Sequence, residues 1–227
     1  MKRFFLGIAA LAFLWSLNTA TVQADYLIDV SVNTSGLSSA SNLTPPFGIG
    51  FDMITGGDAS SNTATISSFV FGGGSAVGTP FTLGNASGDL ASTVTLEVDN
   101  STNSFSYFDQ GFTPGNTLSF HIDLTSNVGS TPDSFSFFLI QNYTPGGLLG
   151  GSSTTVPTTD PTGSDNLLFV QITPNPNNPD LPIIDQFAPL ISSVPEPSGL
   201  VLSAISLASL GLAAGSRRLR QRVVTAG

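Results

Sequence analysis

The chain has 227 residues, 40% hydrophobic and 9% charged, with 24 Gly, 15 Pro and no Cys. This excludes a coiled coil, a disulfide framework, a Cys-ligated zinc site and thiol chemistry, and leaves room for one domain with tails. All six basic residues (Lys2, Arg3, Arg217, Arg218, Arg220 and Arg222) sit at the two ends, so residues 4–216 contain all the carboxylates and neither Lys nor Arg. Phosphate binding is driven by Lys and Arg that release counterions, so no nucleic-acid role is expected and anionic lipid is a poor partner for the middle of the chain.

At the N-terminus, Lys2 and Arg3 precede an apolar run over residues 4–17, and Val22, Gln23 and Ala24 place small residues where signal peptidase reads them. This is the three-part layout of a secretory signal peptide over residues 1–24, with cleavage between Ala24 and Asp25. The run is shorter than the ~20 residues a membrane span needs, which argues against a retained anchor.

Residues 25–173 alternate apolar and polar with a period of two. Tyr26, Ile28, Val30 and Val32 share one face, and the pattern recurs in Phe47/Ile49/Phe51/Met53, Val94/Leu96/Val98 and Leu118/Phe120/Ile122/Leu124. Such alternation predicts half-buried strands. Residues 65–71, 135–141 and 167–172 have apolar side chains on both faces, as central or inter-sheet strands do. Turn residues punctuate the runs at 56–58, 72–74, 99–101, 113–116 and 145–147. The expected fold is all-β: an antiparallel, jelly-roll-like β-sandwich of about eight strands. Its core would be filled by the Phe residues of the mature region. Residues 174–193 are Pro-rich, which disfavours a central strand and predicts an extended spacer, although Ile183, Ile184 and Phe187 could dock on the sandwich.

Val194, Pro195, Glu196, Pro197 and Ser198 then precede an uncharged apolar stretch over 199–215 and the cluster Arg217, Arg218, Arg220 and Arg222, with a short tail at 223–227. The apolar stretch is near the lower length limit for a transmembrane helix, and the Arg cluster marks its cytoplasmic end. Pro-Glu-Pro, a short membrane helix and a terminal Arg cluster, in this order, resemble the PEP-CTERM sorting signal of bacterial surface proteins. The resemblance covers residues 194–222. It implies recognition by an exosortase, a membrane cysteine transpeptidase that cuts near the motif. The precursor would be held in the inner membrane by its helix and arginines, then delivered to the cell surface or extracellular matrix. Two prolines keep the motif extended, so its carbonyls stay open to a membrane protease.

Catalytic signals in the middle are sparse. His121 is the only His and alternates as a solvent-facing strand residue beside Asp123, with no nucleophile singled out as its partner. The carboxylates form no recognisable pair for glycoside hydrolysis, and Gly72–Gly74 lacks the Lys of a nucleotide-binding loop. A non-enzyme is expected. Calcium is the cofactor that acid-rich loops of a cation-free domain would take, and two loops have suitable oxygens. One is Asp99, Ser101 and Asn103; the other runs from Asp160 to Asp165. Each also reads as a solvated turn. Sugar binding would draw on Tyr107 and Tyr143 as stacking platforms, since Trp15 leaves with the signal peptide. The expected function is that of an exported structural or adhesive matrix protein, with a Ca²⁺-assisted carbohydrate-binding module as the alternative and extracellular polysaccharide as a partner.

Overall fold

The computed structural model describes residues 25–57, 61–99, 101–127, 131–173 and 182–191. The signal peptide, including Ala24, the two ends of the Pro-rich spacer and the whole sorting signal from Val194 to Arg222 lie outside the described residues. No helix among the described residues is long and apolar enough to cross a membrane.

Twelve strands are described. In chain order they are β1 (Asp25–Asn33), β2 (Phe47–Ile54), β3 (Asn62–Val70), β4 (Ser75–Leu83), β5 (Asn85–Gly88), β6 (Thr93–Val98), β7 (Phe105–Thr113), β8 (Thr117–Thr125), β9 (Asp133–Gln141), β10 (Thr154–Thr155), β11 (Leu168–Ile172) and β12 (Ile183–Gln186). One helical turn, α1 (Gly147–Gly150), lies between β9 and β10. A five-stranded sheet has the order β1-β8-β3-β6-β5 and a seven-stranded sheet the order β12-β11-β9-β2-β7-β4, with β10 paired to β9 off this path. Every pairing is antiparallel. The protein is all-β, two antiparallel sheets packed as a β-sandwich.

The alternation read from sequence corresponds to β1, β2, β6 and β8, and the stretches apolar on both faces to β3, β9 and β11, each flanked by strands on both sides. The count of about eight falls short because β4, β5 and β12 lie at sheet edges and β10 is two residues long. An edge strand gives weak hydrophobic alternation. β4 is largely exposed, contains Pro80 and has a register shift between Val77 and Phe81, where a proline is tolerated. The stretch read as a spacer also needs correction at 183–186. There β12 pairs with β11, and Thr158 bridges Pro189 beyond it. Pro182 and Pro189 flank this strand rather than interrupt it, and an edge position needs only one side of its ladder.

Between the sheets, Phe51 on β2 is fully buried, with ring centroids 6.1 Å from Phe108, 5.5 Å from Phe137 and 5.6 Å from Phe120 on the opposite sheet. Phe120 meets Phe137 edge-to-face at 4.9 Å. Edge-to-face pairs add about 0.5–1.5 kcal/mol each beyond the area they bury, which helps explain how a core without Trp holds together. A second, smaller apolar cluster of Tyr107, Phe138, Ile140 and Tyr143 lies apart from this core and has Phe81, Phe105 and Leu148 packed against it. The Phe residues therefore divide between two layers instead of filling one.

Candidate functional site

The second layer is built on the outer face of the seven-stranded sheet, and the sequence of β2 explains why. Its residues Phe47, Ile49, Phe51 and Met53 face the core, while Gly48, Gly50 and Asp52 alternate outward. A Cβ on Gly50 would stand 2.1 Å from the Phe138 ring, and one on Gly48 would stand 2.3 Å from the Tyr143 ring. Bare backbone at these two positions lets aromatic rings from β9 and the following loop lie against the sheet. That loop, with α1, covers part of the face.

A buried carboxylate holds the loop in place. Asp109 on β7 is fully buried, and it accepts from Tyr107 Oη at 2.8 Å, Tyr143 Oη at 2.9 Å and the Gly146 N–H at 3.1 Å. Burial pushes Asp109 upward, and these hydrogen bonds pull it back part of the way. Both tyrosine hydroxyls are pushed well above their ordinary value, first by burial and then by the adjacent Asp109 charge. Tyr107 and Tyr143 are therefore corrected as sugar-stacking platforms. They are 1% and 9% exposed, and their hydroxyls are committed to Asp109.

Beside this clamp two hollows adjoin. The larger, about 310 Å³, is lined by Asp52, Phe105, Ser136, Phe138, Asn166 and Phe169 among others. The smaller, about 230 Å³, is lined by Asp160, Asp185 and Phe187, and Ser164, Asn166 and Phe169 line both. Strand register places Tyr107 on one side of Asp52 and Ser136 on the other. Asp52 Oδ1 is sealed from solvent and has no hydrogen-bond partner. Burial raises its carboxyl from 3.8 to about 6, with the Ser136 hydroxyl pulling the other way. The arrangement can accept a proton donor from a bound molecule and offer phenyl faces to an apolar surface.

The carboxylates of the two loops considered for calcium accept hydrogen bonds from nearby residues, most of them in their own turns. Asp99 accepts from Ser101 N–H and Oγ and from Thr102 N–H and Oγ1, at 2.6–2.8 Å. The Thr102 hydroxyl above all, then Ser101, holds this carboxyl well below the usual range. Asn103 turns away to Glu97 O and Ser106 Oγ, so the segment is a self-capped hairpin turn. In the second loop, Asp160 accepts from Thr162, while Asp165 accepts from Thr155 Oγ1 and Thr158 N–H. Among the described residues no three His, Cys, Asp or Glu side chains converge.

His121 is exposed on the other sheet. Its Nδ1 meets Asp29 across the β1–β8 ladder rather than the neighbouring Asp123. Asp52, Phe138, Phe169 and Asp185 escaped the sequence reading. The one available signal was Phe-Gly-Ile-Gly-Phe-Asp over residues 47–52, where a carboxylate takes the face that two glycines leave open. The chain has no match among protein-family models, curated proteins or solved structures. The fold and the site together define a β-sandwich with a partly roofed, acidic and aromatic groove on one outer face.

Proposed function

We propose that this is an exported bacterial surface or extracellular-matrix protein with a structural or adhesive role. It would be released from its signal peptide at Ala24/Asp25 and sorted by an exosortase through residues 194–222. The observation that carries the adhesive reading is the groove on the outer face, with its phenyl walls and a carboxyl whose Oδ1 lacks a hydrogen-bond partner, in a domain without Lys or Arg. Extracellular polysaccharide suits it because sugar rings offer C–H faces to phenyl groups and hydroxyls to polar side chains. The strand orders β1-β8-β3-β6 and β2-β7-β4 are compatible with a jelly-roll topology, an architecture also used by lectin domains. The alternative of a Ca²⁺-assisted carbohydrate-binding module uses the same groove, but its calcium part gains no support from the two loops.

The delivery half is tested by replacing Pro195, Glu196 and Pro197 with Ala. The expected result is a full-length, membrane-bound chain, whereas the parent, recovered from the cell surface, gives an intact mass lacking Trp15 and all four C-terminal arginines. Processing and release of the variant like the parent would refute the sorting assignment. Co-sedimentation of the exported protein with the extracellular polysaccharide of its own cells tests the adhesive half, and a protein left wholly in the supernatant would refute it.

A further inference from the structure

Among the described residues, Asp52 Oδ1 is the side-chain oxygen that is both sealed from solvent and without a hydrogen-bond partner. The buried aspartates are served by the fold: Asp109 has three donors, Asp133 takes Thr55 Oγ1 at 3.1 Å, Gly56 N–H at 2.7 Å and Asn62 Nδ2 at 2.7 Å, and Asp160 accepts from Thr162 and the Asn166 N–H. A buried acceptor left unmet costs about 1–3 kcal/mol, more when it is charged. Asp52 as a whole is only partly buried and lines the larger hollow, so a donor drawn to its carboxylate comes through that hollow, and a small turn of the side chain is needed to bring Oδ1 to it.

The chemistry of that donor follows from the surroundings. The protein has no Lys or Arg in residues 4–216, and its single His121 sits on the other sheet beside Asp29. No cationic side chain among the described residues pairs with Asp52, and Asp185 adds a further carboxylate in the adjoining hollow. A hydroxyl would satisfy the oxygen and leave the charge, whereas an ammonium satisfies both, and uronic or sulfated sugars would be repelled. Phe105 and Phe169, both partly exposed, present phenyl faces suited to ring C–H groups and to cations. Because Ser164, Asn166 and Phe169 form a common wall, a ligand longer than one ring can occupy both hollows.

We propose that the groove binds a polysaccharide of amino sugars bearing free ammonium groups, with one ammonium at Asp52 and a neighbouring ring across Phe169 towards Asp185. This rests on the reading of the groove as a polysaccharide site, and the probes separate the two ideas. Calorimetry of the processed, exported protein at about pH 6.5, where a glucosamine chain carries part of its ammonium charge and Asp52 is mostly ionised, would compare β-1,4-linked glucosamine hexamer with N-acetylglucosamine hexamer, galacturonic acid hexamer and hexalysine. The glucosamine hexamer is expected to bind at least about tenfold more tightly than each of the others and to keep that preference in physiological salt, where diffuse attraction to a polyanion is screened. Asp52→Asn should abolish the preference over the acetylated chain without lowering the thermal midpoint, and Phe169→Ala should weaken both sugars alike. Equal binding of glucosamine and N-acetylglucosamine hexamers, or a preference that survives Asp52→Asn, overturns the ammonium assignment and leaves the groove as a sugar site. Hexalysine binding as tightly as the amino sugar overturns it in favour of a basic protein partner. No binding of any sugar removes the polysaccharide reading and this inference with it.

Discussion

Replacing Asp52 with Asn should shift stability in favour of the variant by more at neutral pH than in mild acid. In the folded state the carboxyl titrates at about 6 against an ordinary value of 3.8, because burial disfavours its charge. That gap corresponds to roughly 3 kcal/mol between the protonated and ionised forms. The folded state holds the proton more tightly than the unfolded chain, so parent stability rises as pH falls through about 6 and the gain is complete below about 4. Asn cannot ionise, and its amide imposes a cost or benefit that does not change with pH. The informative quantity is therefore the difference in midpoint between variant and parent, compared at pH 7.5 and pH 4.2. Asp109 and the exposed carboxylates are common to both proteins and cancel in that difference. The advantage of the variant should be about 2 kcal/mol larger at the higher pH, or roughly 4–8 °C for a domain of this size. Differential scanning fluorimetry at matched ionic strength reads it directly. A difference between variant and parent that is equal at the two pH values would show that Asp52 is not desolvated in the folded protein.

Two further substitutions test the construction of the roof. Gly50→Ala places a methyl 2.1 Å from the Phe138 ring, so the ring must shift; the expected loss is about 1–3 kcal/mol in urea unfolding, and an unchanged midpoint would refute the close packing. Tyr143→Phe removes one of the three donors to Asp109, at a cost of about 1–3 kcal/mol. Because Tyr107 serves the same carboxylate, the Tyr107→Phe/Tyr143→Phe double variant should depart from the sum of the singles, and strict additivity would mean that the two hydroxyls act independently.

How far the fold could be read depended on where each strand lies. β1, β2, β6 and β8 bury one face against the opposite sheet, so a period of two is imposed on their side chains and survives in the sequence. β9 and β11 also carry apolar residues outward, because the loop and α1 cover part of that face; Phe138 and Ile140 belong to this second layer. β4 and β12 have no such constraint. Their pairing is backbone hydrogen bonding at an edge, which leaves little trace in side-chain type, and proline within or beside them further obscures it. The groove was illegible for a related reason. Its residues come from β2, β7, β9, β11, β12 and the loop between β10 and β11, and only the pairing register brings Asp52, Tyr107 and Ser136 side by side.

The treatment of buried charge gives the groove its significance. A domain with many carboxylates and no Lys or Arg cannot neutralise an aspartate by ion pairing away from its lone histidine, so the recourse for a buried carboxylate is neutral donors or protonation. Asp109 and Asp133 show the first solution carried through: two tyrosines and a backbone N–H serve Asp109, and threonine, asparagine and a backbone N–H serve Asp133, and in both cases the hydrogen bonds fasten a loop to the sheet. Asp52 stands on the same face as Asp109, one diagonal position away in the β2–β7 register, where side chains are roughly 7–8 Å apart. The sheet and the loop after β9 together supply Asp109 with two tyrosine hydroxyls but give Asp52 no geometrically satisfied bond at Oδ1, although Ser136 is directly opposite. If stability alone governed this position, Asn, Ser or a third glycine after Gly48 and Gly50 would remove the cost. Retention of an under-served carboxyl beside an aromatic-walled hollow is the local inconsistency expected where binding competes with folding.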